Sequence, residues 1–288
     1  MPLWLVYSMT AALFYGLLNF LYKVSAEKKL PTQAVVFVSA FSVVISTAVT
    51  IKVKGGTFES FGQALPYAAV NGTLFAFGAL AKFRALKLAP ASVVFPVNKS
   101  NVLFVIVIGL VFFKELPTLR QWTGVFAAIL VLILISYEQI RGTRITQLQG
   151  IGFALVAALC TSFSMTAGKL ASIHTDRLTY ILISYSIVTV IAFVLYRFRV
   201  QEEKRITSFK NPFLFILGGG IGILNFAGYN LVLKAFAEGS MALVQPVFAL
   251  SILIPIFLSA IIYREHLTFI RIVSIALSLA SILLIKSG

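Results

Sequence analysis

Charged residues are scarce in this chain. They make up 11% of its 288 residues, whereas hydrophobic residues make up 59% and the mean hydropathy is +0.98. A soluble domain carries about 25% charged residues, so this chain has too few to cover a surface that faces water. The net charge of +15 is spread over many short connections, and this pattern suits anionic lipid headgroups better than nucleic acid. We therefore expect a lipid bilayer and no nucleic acid as partner.

Residues that form metal and catalytic sites are equally few. The single cysteine, Cys160, rules out an internal disulfide and a cysteine-rich metal site. The two histidines, His174 and His266, stand at the ends of apolar runs, and none of the nine acidic residues lies deep within one. A membrane-embedded enzyme needs a Ser/His set, paired carboxylates or metal ligands within its spans. We therefore expect no enzymatic activity, no metal and no cofactor.

Long apolar runs dominate what is present. Each of ten runs has about the 20 residues required to cross a bilayer, and the connections between them are short. The expected fold class is an all-α integral membrane protein with ten transmembrane helices. The runs cover residues 3–22, 33–51, 63–86, 88–113, 120–137, 150–169, 178–196, 212–233, 239–263 and 267–285.

The chain contains an internal repeat. Residues of the same kind coincide when the chain is shifted by 150 positions, or by 146 in the first span of each half: Pro96 with Pro246, Lys114-Glu115 with Arg264-Glu265, and Lys23 with Lys169. The halves, residues 1–140 and 145–288, hold five spans each. Because five is odd, the second half is predicted to be inverted. Inverted repeats with matching helix interruptions are typical of secondary transporters, which bind substrate near the midplane and alternate access between the two sides.

Several stretches are similar to a known family. They are FYGLLNFLYK at 14–23, ALKLAPASVVFPVNKSN at 85–101 and FAEGSMALVQPVF at 236–248. On these residues the chain resembles the ten-span EamA-like branch of the drug/metabolite transporter superfamily. The resemblance implies a transporter of small metabolites, often an exporter of amino acids, and leaves the substrate open. The usual closing pair of the family is Gly-Glu, which Lys114-Glu115 and Arg264-Glu265 replace, so the tight turn expected there loses its glycine.

Lys99 lies near the middle of the fourth apolar run. It is about 16 Å and 21 Å from the two ends at 1.5 Å per helical residue, too far for its ammonium to reach the interface with ease. A charge at the bilayer centre costs about 2.5–3.5 kcal/mol on insertion scales. Since no acidic residue is placed to pair with it, we expect Lys99 to face a cavity and to bind a carboxylate or phosphate of the substrate.

Other polar residues within the spans complete the predicted site. Asparagine and glutamine amides serve either as ligands or as hydrogen bonds between helices, and both roles stay open. Proline cannot donate to the carbonyl four residues earlier, so the proline shared by the fourth and ninth spans predicts a hinge in each. The predicted substrate-binding residues are Asn19, Lys23, Asn98, Lys99, Asn101, Asn225, Tyr229 and Gln245, and the predicted hinges are Pro96 and Pro246.

The expected function is a secondary transporter, an exporter of small polar metabolites such as amino acids or organic acids. The alternatives are a flippase or carrier for a phosphorylated or anionic lipid-like substrate, and a small multidrug exporter. The latter is disfavoured because it needs a buried carboxylate. We expect a monomer or homodimer in a prokaryotic inner membrane. The basic cluster Lys82, Arg84 and Lys87 either lines a vestibule or contacts headgroups.

Orientation in the membrane stays open. The odd-numbered connections hold 15 of the 24 lysines and arginines, and the even-numbered connections with the termini hold 8. The positive-inside rule therefore places both termini outside. The family resemblance implies the opposite, because many relatives are described with both termini in the cytoplasm.

Overall fold

The computed structural model of the chain describes residues 1–55, 60–140, 148–199, 210–262, 264 and 268–287. Within these residues it contains twelve α-helices and no strand, and a 3₁₀ turn, Leu250–Ile252, joins α10 to α11. The helices are α1 Leu3–Glu27, α2 Thr32–Val53, α3 Phe61–Leu88, α4 Ala91–Lys99, α5 Asn101–Val111, α6 Leu119–Ile140, α7 Leu148–His174, α8 Arg177–Arg199, α9 Pro212–Glu238, α10 Met241–Ala249, α11 Leu253–Ile262 and α12 Phe269–Lys286.

Ten candidate membrane spans confirm the predicted all-α membrane fold. Eight of them are single helices, the fourth is α4 with α5, and the ninth is α10 with α11. The predicted run 88–113 is wrong at its beginning, because Leu88 still belongs to α3 and α4 begins at Ala91. The reason is local: Ala89 is extended, with φ −142° and ψ 153°, because a residue that precedes a proline is driven out of the helical region.

The repeat is visible in the backbone at single-residue resolution. The fourth span is interrupted at Ser100 (φ −59°, ψ −11°) and the ninth at Leu250 (φ −63°, ψ −10°), which are 150 positions apart. Pro96 and Pro246 each precede their interruption by four residues. The matching interruptions are direct observations, whereas the hinge role of the two prolines stays a prediction.

The turn that closes the fourth and ninth spans keeps its shape without glycine. Lys114 has a φ of 53° and Arg264 a φ of 55°, so both adopt the left-handed conformation that glycine adopts at little cost. The missing glycine, which put the turn in doubt, therefore does not prevent this conformation. The glutamate that follows Arg264 in the sequence, Glu265, and His266 lie outside the described residues.

Helix packing follows the repeat. The first and second spans both pack on the eighth. Their counterparts in the second half, the sixth and seventh spans, both pack on the third, which is the counterpart of the eighth. The second and seventh, fourth and ninth, and fifth and tenth spans pack on their own counterparts. Exchanging the halves therefore reproduces most contacts. The inversion of the second half stays a prediction that rests on the odd number of spans in each half.

One end of the bundle does not follow this symmetry of contacts between the halves. If successive spans cross in alternate directions, the beginning of the first span and the end of the last share one face, here called the terminal face, with the connections Phe112–Thr118 and Gly239–Ser240. The connections Lys28–Pro31 and Ala89–Pro90 then lie on the opposite face. Towards the terminal face, α10 packs on α5 and α7 packs on α9. The equivalent pairs towards the opposite face, α4 with α11 and α1 with α3, show no comparable packing within the described ranges. Among the described residues, the bundle is therefore closed at its terminal face and parted at the opposite face.

Candidate functional site

Two lysines come together on the parted side of the bundle. Lys99 is the last residue of α4, and Lys82 lies on α3, which packs on α4. The ammonium of Lys82 lies 4.8 Å from the ring centroid of Phe95, one turn before Lys99. In the part of the chain that the structure describes, Lys99 is half-buried and has no hydrogen-bond or ion-pair partner. Like charges in the membrane without an acidic partner favour an anionic ligand.

Polar atoms without partners cluster at the two helix interruptions. Asn98 Oδ1, Ser100 Oγ and Gln245 Oε1 are all buried and accept or donate no hydrogen bond among the described residues. Gln245 is only 2% exposed. A buried polar group without a partner costs about 1–3 kcal/mol, so these atoms are suited to bind a polar ligand or water. They lie near Pro96 and Pro246, where the sequence places the midplane site.

A network of tyrosines and asparagines lies in the middle of the bundle. Asn225 Oδ1 on α9 accepts hydrogen bonds from Tyr15 Oη at 3.0 Å and Tyr185 Oη at 3.1 Å. One turn further along α9, Tyr229 Oη accepts from Asn71 Nδ2 at 3.2 Å and lies 3.1 Å from Tyr180 Oη. The network connects spans from both halves. Its hydrogen-bonded hydroxyl and amide groups make the centre of the bundle polar.

The helix α1 presents a polar stripe on one side of the parting. Tyr15, Asn19 and Lys23 are spaced by four residues and therefore share a helix face. Lys23 Nζ donates to Ser259 Oγ on α11 at 2.8 Å. The helices α1 and α11 thus form one wall, and α3 and α4, which carry Lys82 and Lys99, form the other.

A carboxylate closes the terminal face. Glu115, in the connection between α5 and α6, accepts from the backbone amides of Met241 at 2.8 Å and Ala242 at 2.9 Å. It also accepts from Ser240 Oγ at 2.7 Å. These three donors form the N-terminus of α10, where the helix dipole favours a negative charge. A first-half side chain therefore holds the first turn of a second-half helix.

A lysine completes this closure. Lys169 on α7 donates to the backbone carbonyls of Phe236 and Gly239, the latter at 2.7 Å, and its Nζ lies 3.8 Å from Glu115 Oε1. The side chains of Lys169 and Glu115 are only 9% and 11% exposed. A cavity of about 410 Å³ opens on the terminal face and ends at this pair. Neither Lys99 nor Gln245 lines that cavity.

One family model matches both halves of the chain, and this match decides the family. The model of the EamA-like transporter family matches residues 2–137 and again residues 148–287. The chain belongs to the EamA-like transporter family. It is also 27% identical over 132 residues to an uncharacterized protein of Methanocaldococcus jannaschii. That alignment covers 46% of this chain and 95% of the relative, which is therefore about as long as one half.

A solved crystal structure shares the fold of this EamA-like transporter. Its TM-score is 0.77 at 14% sequence identity, and the superposition covers 98% of this chain and 95% of the other. At this identity the likeness concerns the fold alone. Together with the ten candidate spans, the family assigns the chain to multi-pass membrane transporters, a family of transporters and not of enzymes.

The eight residues predicted for the substrate site fall into three groups in this EamA-like transporter. One group surrounds the helix interruptions, one belongs to the central network, and one lies on α1. Asn101 is buried at the start of α5, beside Ser162, whose hydroxyl donates to the backbone carbonyl of Asn101 at 3.2 Å. In this order, the groups are Asn98, Lys99, Asn101 and Gln245; Asn225 and Tyr229; and Asn19 and Lys23.

Sequence reasoning missed the residues that link these groups. Tyr15, Tyr180 and Tyr185 were not predicted, because nothing in a helix-period pattern marks a buried hydroxyl. Lys169 carried a usable signal, since the 146-residue shift places it on Lys23, a lysine at the same position of both halves. The contact of Lys82 with Phe95 leaves both the vestibule and the headgroup alternatives open for Lys82, because Phe95 is 44% exposed.

Proposed function

We propose that this EamA-like protein is a secondary transporter that exports a small polar metabolite bearing a carboxylate or a phosphate. The observation that carries the proposal is the position of Lys82, over the ring of Phe95 and so one helical turn from Lys99 on α4, without an acidic partner for either lysine among the described residues. Such a pair repels itself in the empty site and is relieved by an anion. Amino acids, organic acids and phosphorylated metabolites all carry the required group.

Alternating access accounts for the rest of the arrangement. The substrate enters between the α1–α11 wall and the α3–α4 wall, where the packing is incomplete. Its anionic group binds Lys82 and Lys99, and its polar groups satisfy Asn98 and Gln245. Closure of the walls and release of the terminal face then deliver it to the other side. We propose a prokaryotic inner membrane as the protein's location, and a monomer or homodimer as its working form.

A binding screen tests the proposal. Purified protein is heated with amino acids, organic acids, phosphorylated metabolites and cationic drugs, and stabilising compounds are then tested for counterflow in liposomes. We expect an anionic compound to raise the unfolding temperature. Lys99→Met, which keeps the length of the side chain, is expected to bind that compound at least tenfold more weakly, a loss of about 1.4 kcal/mol. Lys82→Met is expected to show a smaller loss.

Lys234→Met is the matched control. Lys234 also lies inside a span and over an aromatic ring, with its ammonium 5.5 Å from the ring centroid of Tyr7, but it lies near the end of α9 at the terminal face and not on α3 or α4. It is expected to bind like the wild type. If only cationic drugs stabilise the protein, or if Lys99→Met binds the anionic compound as well as Lys234→Met does, the proposal is wrong.

A further inference from the structure

The terminal closure joins the two halves through one side chain. Glu115 belongs to the first half, and its three hydrogen-bond donors, from Ser240 to Ala242, belong to the second. Gly109 makes this contact possible: a Cβ at that position would lie 2.6 Å from Glu115 Oε2 and 3.1 Å from the amide nitrogen of Ala242. Gly109 therefore allows both the close approach of α5 to α10 and the position of the Glu115 carboxylate.

Lys169 binds the other end of the connection that leads into α10. The connection Gly239–Ser240 joins the C-terminus of α9 to the N-terminus of α10. Lys169 binds the last carbonyls of α9, where the helix dipole favours a cation, and Glu115 binds the first amides of α10, where it favours an anion. Separating the halves at the terminal face requires the three hydrogen bonds of Glu115 to break.

The repeat identifies the equivalent positions on the opposite face. Lys23 corresponds to Lys169, while Leu86 and Ala89 correspond to Phe236 and Gly239, whose carbonyls Lys169 binds. The structure shows a different partner for Lys23: it donates to Ser259, the residue that corresponds to Gly109. The same lysine thus has one arrangement where the bundle is closed and another where it is parted.

We propose that Glu115 and Lys169 form a latch that holds the terminal face closed, and that Lys23 moves from Ser259 to the carbonyls of Leu86 and Ala89 when the opposite face closes. The two arrangements alternate during the cycle. This inference rests on alternating access in the proposed function. Its test measures the two faces without substrate, so a failure of the latch and a failure of the anion site are distinguishable.

Labelling of a buried thiol tests the latch. Cys160→Ala removes the only cysteine of the chain, and Ser164→Cys introduces a reporter that is 4% exposed and about one and a half turns below Lys169 on α7. A membrane-impermeant maleimide is expected to react slowly with this protein. Adding Glu115→Gln, which keeps the shape of the side chain and removes its charge, is expected to raise the rate at least tenfold. Ser240→Ala, which removes one of the three donors, is expected to raise it less.

Glu138→Gln is the control for the loss of a charge between the halves. Glu138 on α6 pairs with Arg271 on α12 at 3.1 Å and is similarly buried, but away from the terminal closure. Its labelling rate is expected to match the parent. The latch is overturned if Glu115→Gln and Ser240→Ala label at the parent rate, or if Glu138→Gln accelerates labelling as much as Glu115→Gln. The unfolding temperature of each variant establishes that the labelled protein is folded.

Spin labels test the movement of Lys23. Exposed positions at equivalent places are Lys28 and Lys87 on the opposite face, and His174 and Ala237 on the terminal face. Glu115→Gln is expected to lengthen the 174–237 distance and to shorten the 28–87 distance. Adding Lys23→Met is expected to abolish the shortening. If the 28–87 distance shortens equally in the double variant, Lys23 has no part in closing the opposite face.

Discussion

The two faces of the bundle are built from repeated sequence, yet they differ in structure. At the terminal face a carboxylate binds the N-terminus of α10 and a lysine binds the C-terminus of α9. At the opposite face the equivalent lysine, Lys23, binds a serine on α11 instead. The contrast coincides with one pair of residues: Gly109 leaves room for Glu115, whereas its counterpart Ser259 offers a hydroxyl. A repeat therefore fixes the backbone of both faces and leaves their closure to individual side chains.

The size of the closing interactions suits a switch. Hydrogen bonds to charged groups contribute about 1.5–3 kcal/mol each, and moving an equilibrium from 1:99 to 99:1 requires about 5.5 kcal/mol. The three hydrogen bonds that Glu115 accepts are of this combined size. Substrate binding that favours the other arrangement by a few kcal/mol is then sufficient to exchange the faces.

The largest effect on closure of the terminal face is expected from a side chain that fills the space beside Gly109. Gly109→Val places a branched side chain where Glu115 Oε2 and the amide of Ala242 lie. Overpacking costs about 1–3 kcal/mol, to which the loss of the carboxylate contacts adds. We expect thiol labelling of Ser164→Cys to rise, and transport to fall, by more than tenfold each. Gly152→Val on α7 is the control, because nothing lies within 4 Å of a Cβ at that position; equal effects of the two substitutions would remove the special role of Gly109.

The interrupted spans allow a second test, which separates ligand groups from structural groups. Gln245 Oε1 is buried without a partner, whereas Asn71 Nδ2 donates to Ser164 Oγ at 2.8 Å and to its carbonyl at 3.0 Å. Replacing an unsatisfied group by an apolar one relieves a cost of about 1–3 kcal/mol. We expect Gln245→Leu to raise the unfolding temperature and to weaken binding of the anionic compound, and Asn71→Leu to lower the unfolding temperature.

Either of two results would contradict this assignment of Gln245. One is a lower unfolding temperature for Gln245→Leu, which would show that its amide has a structural partner. The other is unchanged binding of the anionic compound, which would remove Gln245 from the site. The Asn71→Leu variant shows in the same assay how a satisfied buried amide responds.

The fold could be predicted from the sequence because its signals are local and repeated. Apolar runs gave the ten spans, and the 150-residue shift placed Pro96 on Pro246, four residues before each helix interruption. The left-handed turn at Lys114 could not be predicted, since the preference of glycine for that conformation argues against a lysine there. Its hydrogen-bonded surroundings, in which Glu115 is held by α10, are tertiary and leave no pattern in the sequence.

The candidate site could be predicted only in part. Lys99 was visible because a single charge in an apolar run is conspicuous. The division of the eight residues into three groups was not visible, because helix periodicity tells which residues share a face and not which neighbouring helix they meet. The bond between Lys23 and Ser259 spans 236 positions of sequence, and the link of Tyr15 to Asn225 spans 210. Such pairs depend on how the spans are arranged.

A smaller effect is expected at the opposite face, on the distance between its two walls. Ser259→Ala removes one acceptor of Lys23, and a hydrogen bond to a charged group contributes about 1.5–3 kcal/mol. Loss of this bond favours the arrangement in which Lys23 binds the carbonyls of Leu86 and Ala89, so the population with the short 28–87 distance is expected to rise two- to tenfold. Ser278→Ala is the control, since its hydroxyl donates within its own helix, to Ile275, at 2.7 Å. No change in Ser259→Ala would mean that this bond does not hold the walls apart.

The smallest effect concerns a feature that the two faces share. Lys114 and Arg264 both adopt a left-handed φ, which costs about 1–2 kcal/mol for a residue with a side chain, and glycine avoids this cost but loses more entropy on folding. We expect Lys114→Gly and Arg264→Gly each to raise the unfolding temperature by about 2 °C, and Gly55→Ala, at a φ of 64°, to lower it. Labelling of Ser164→Cys should stay unchanged in all three. A change confined to Lys114→Gly would mean that strain in this turn also helps to position Glu115, and would add the turn to the differences between the faces.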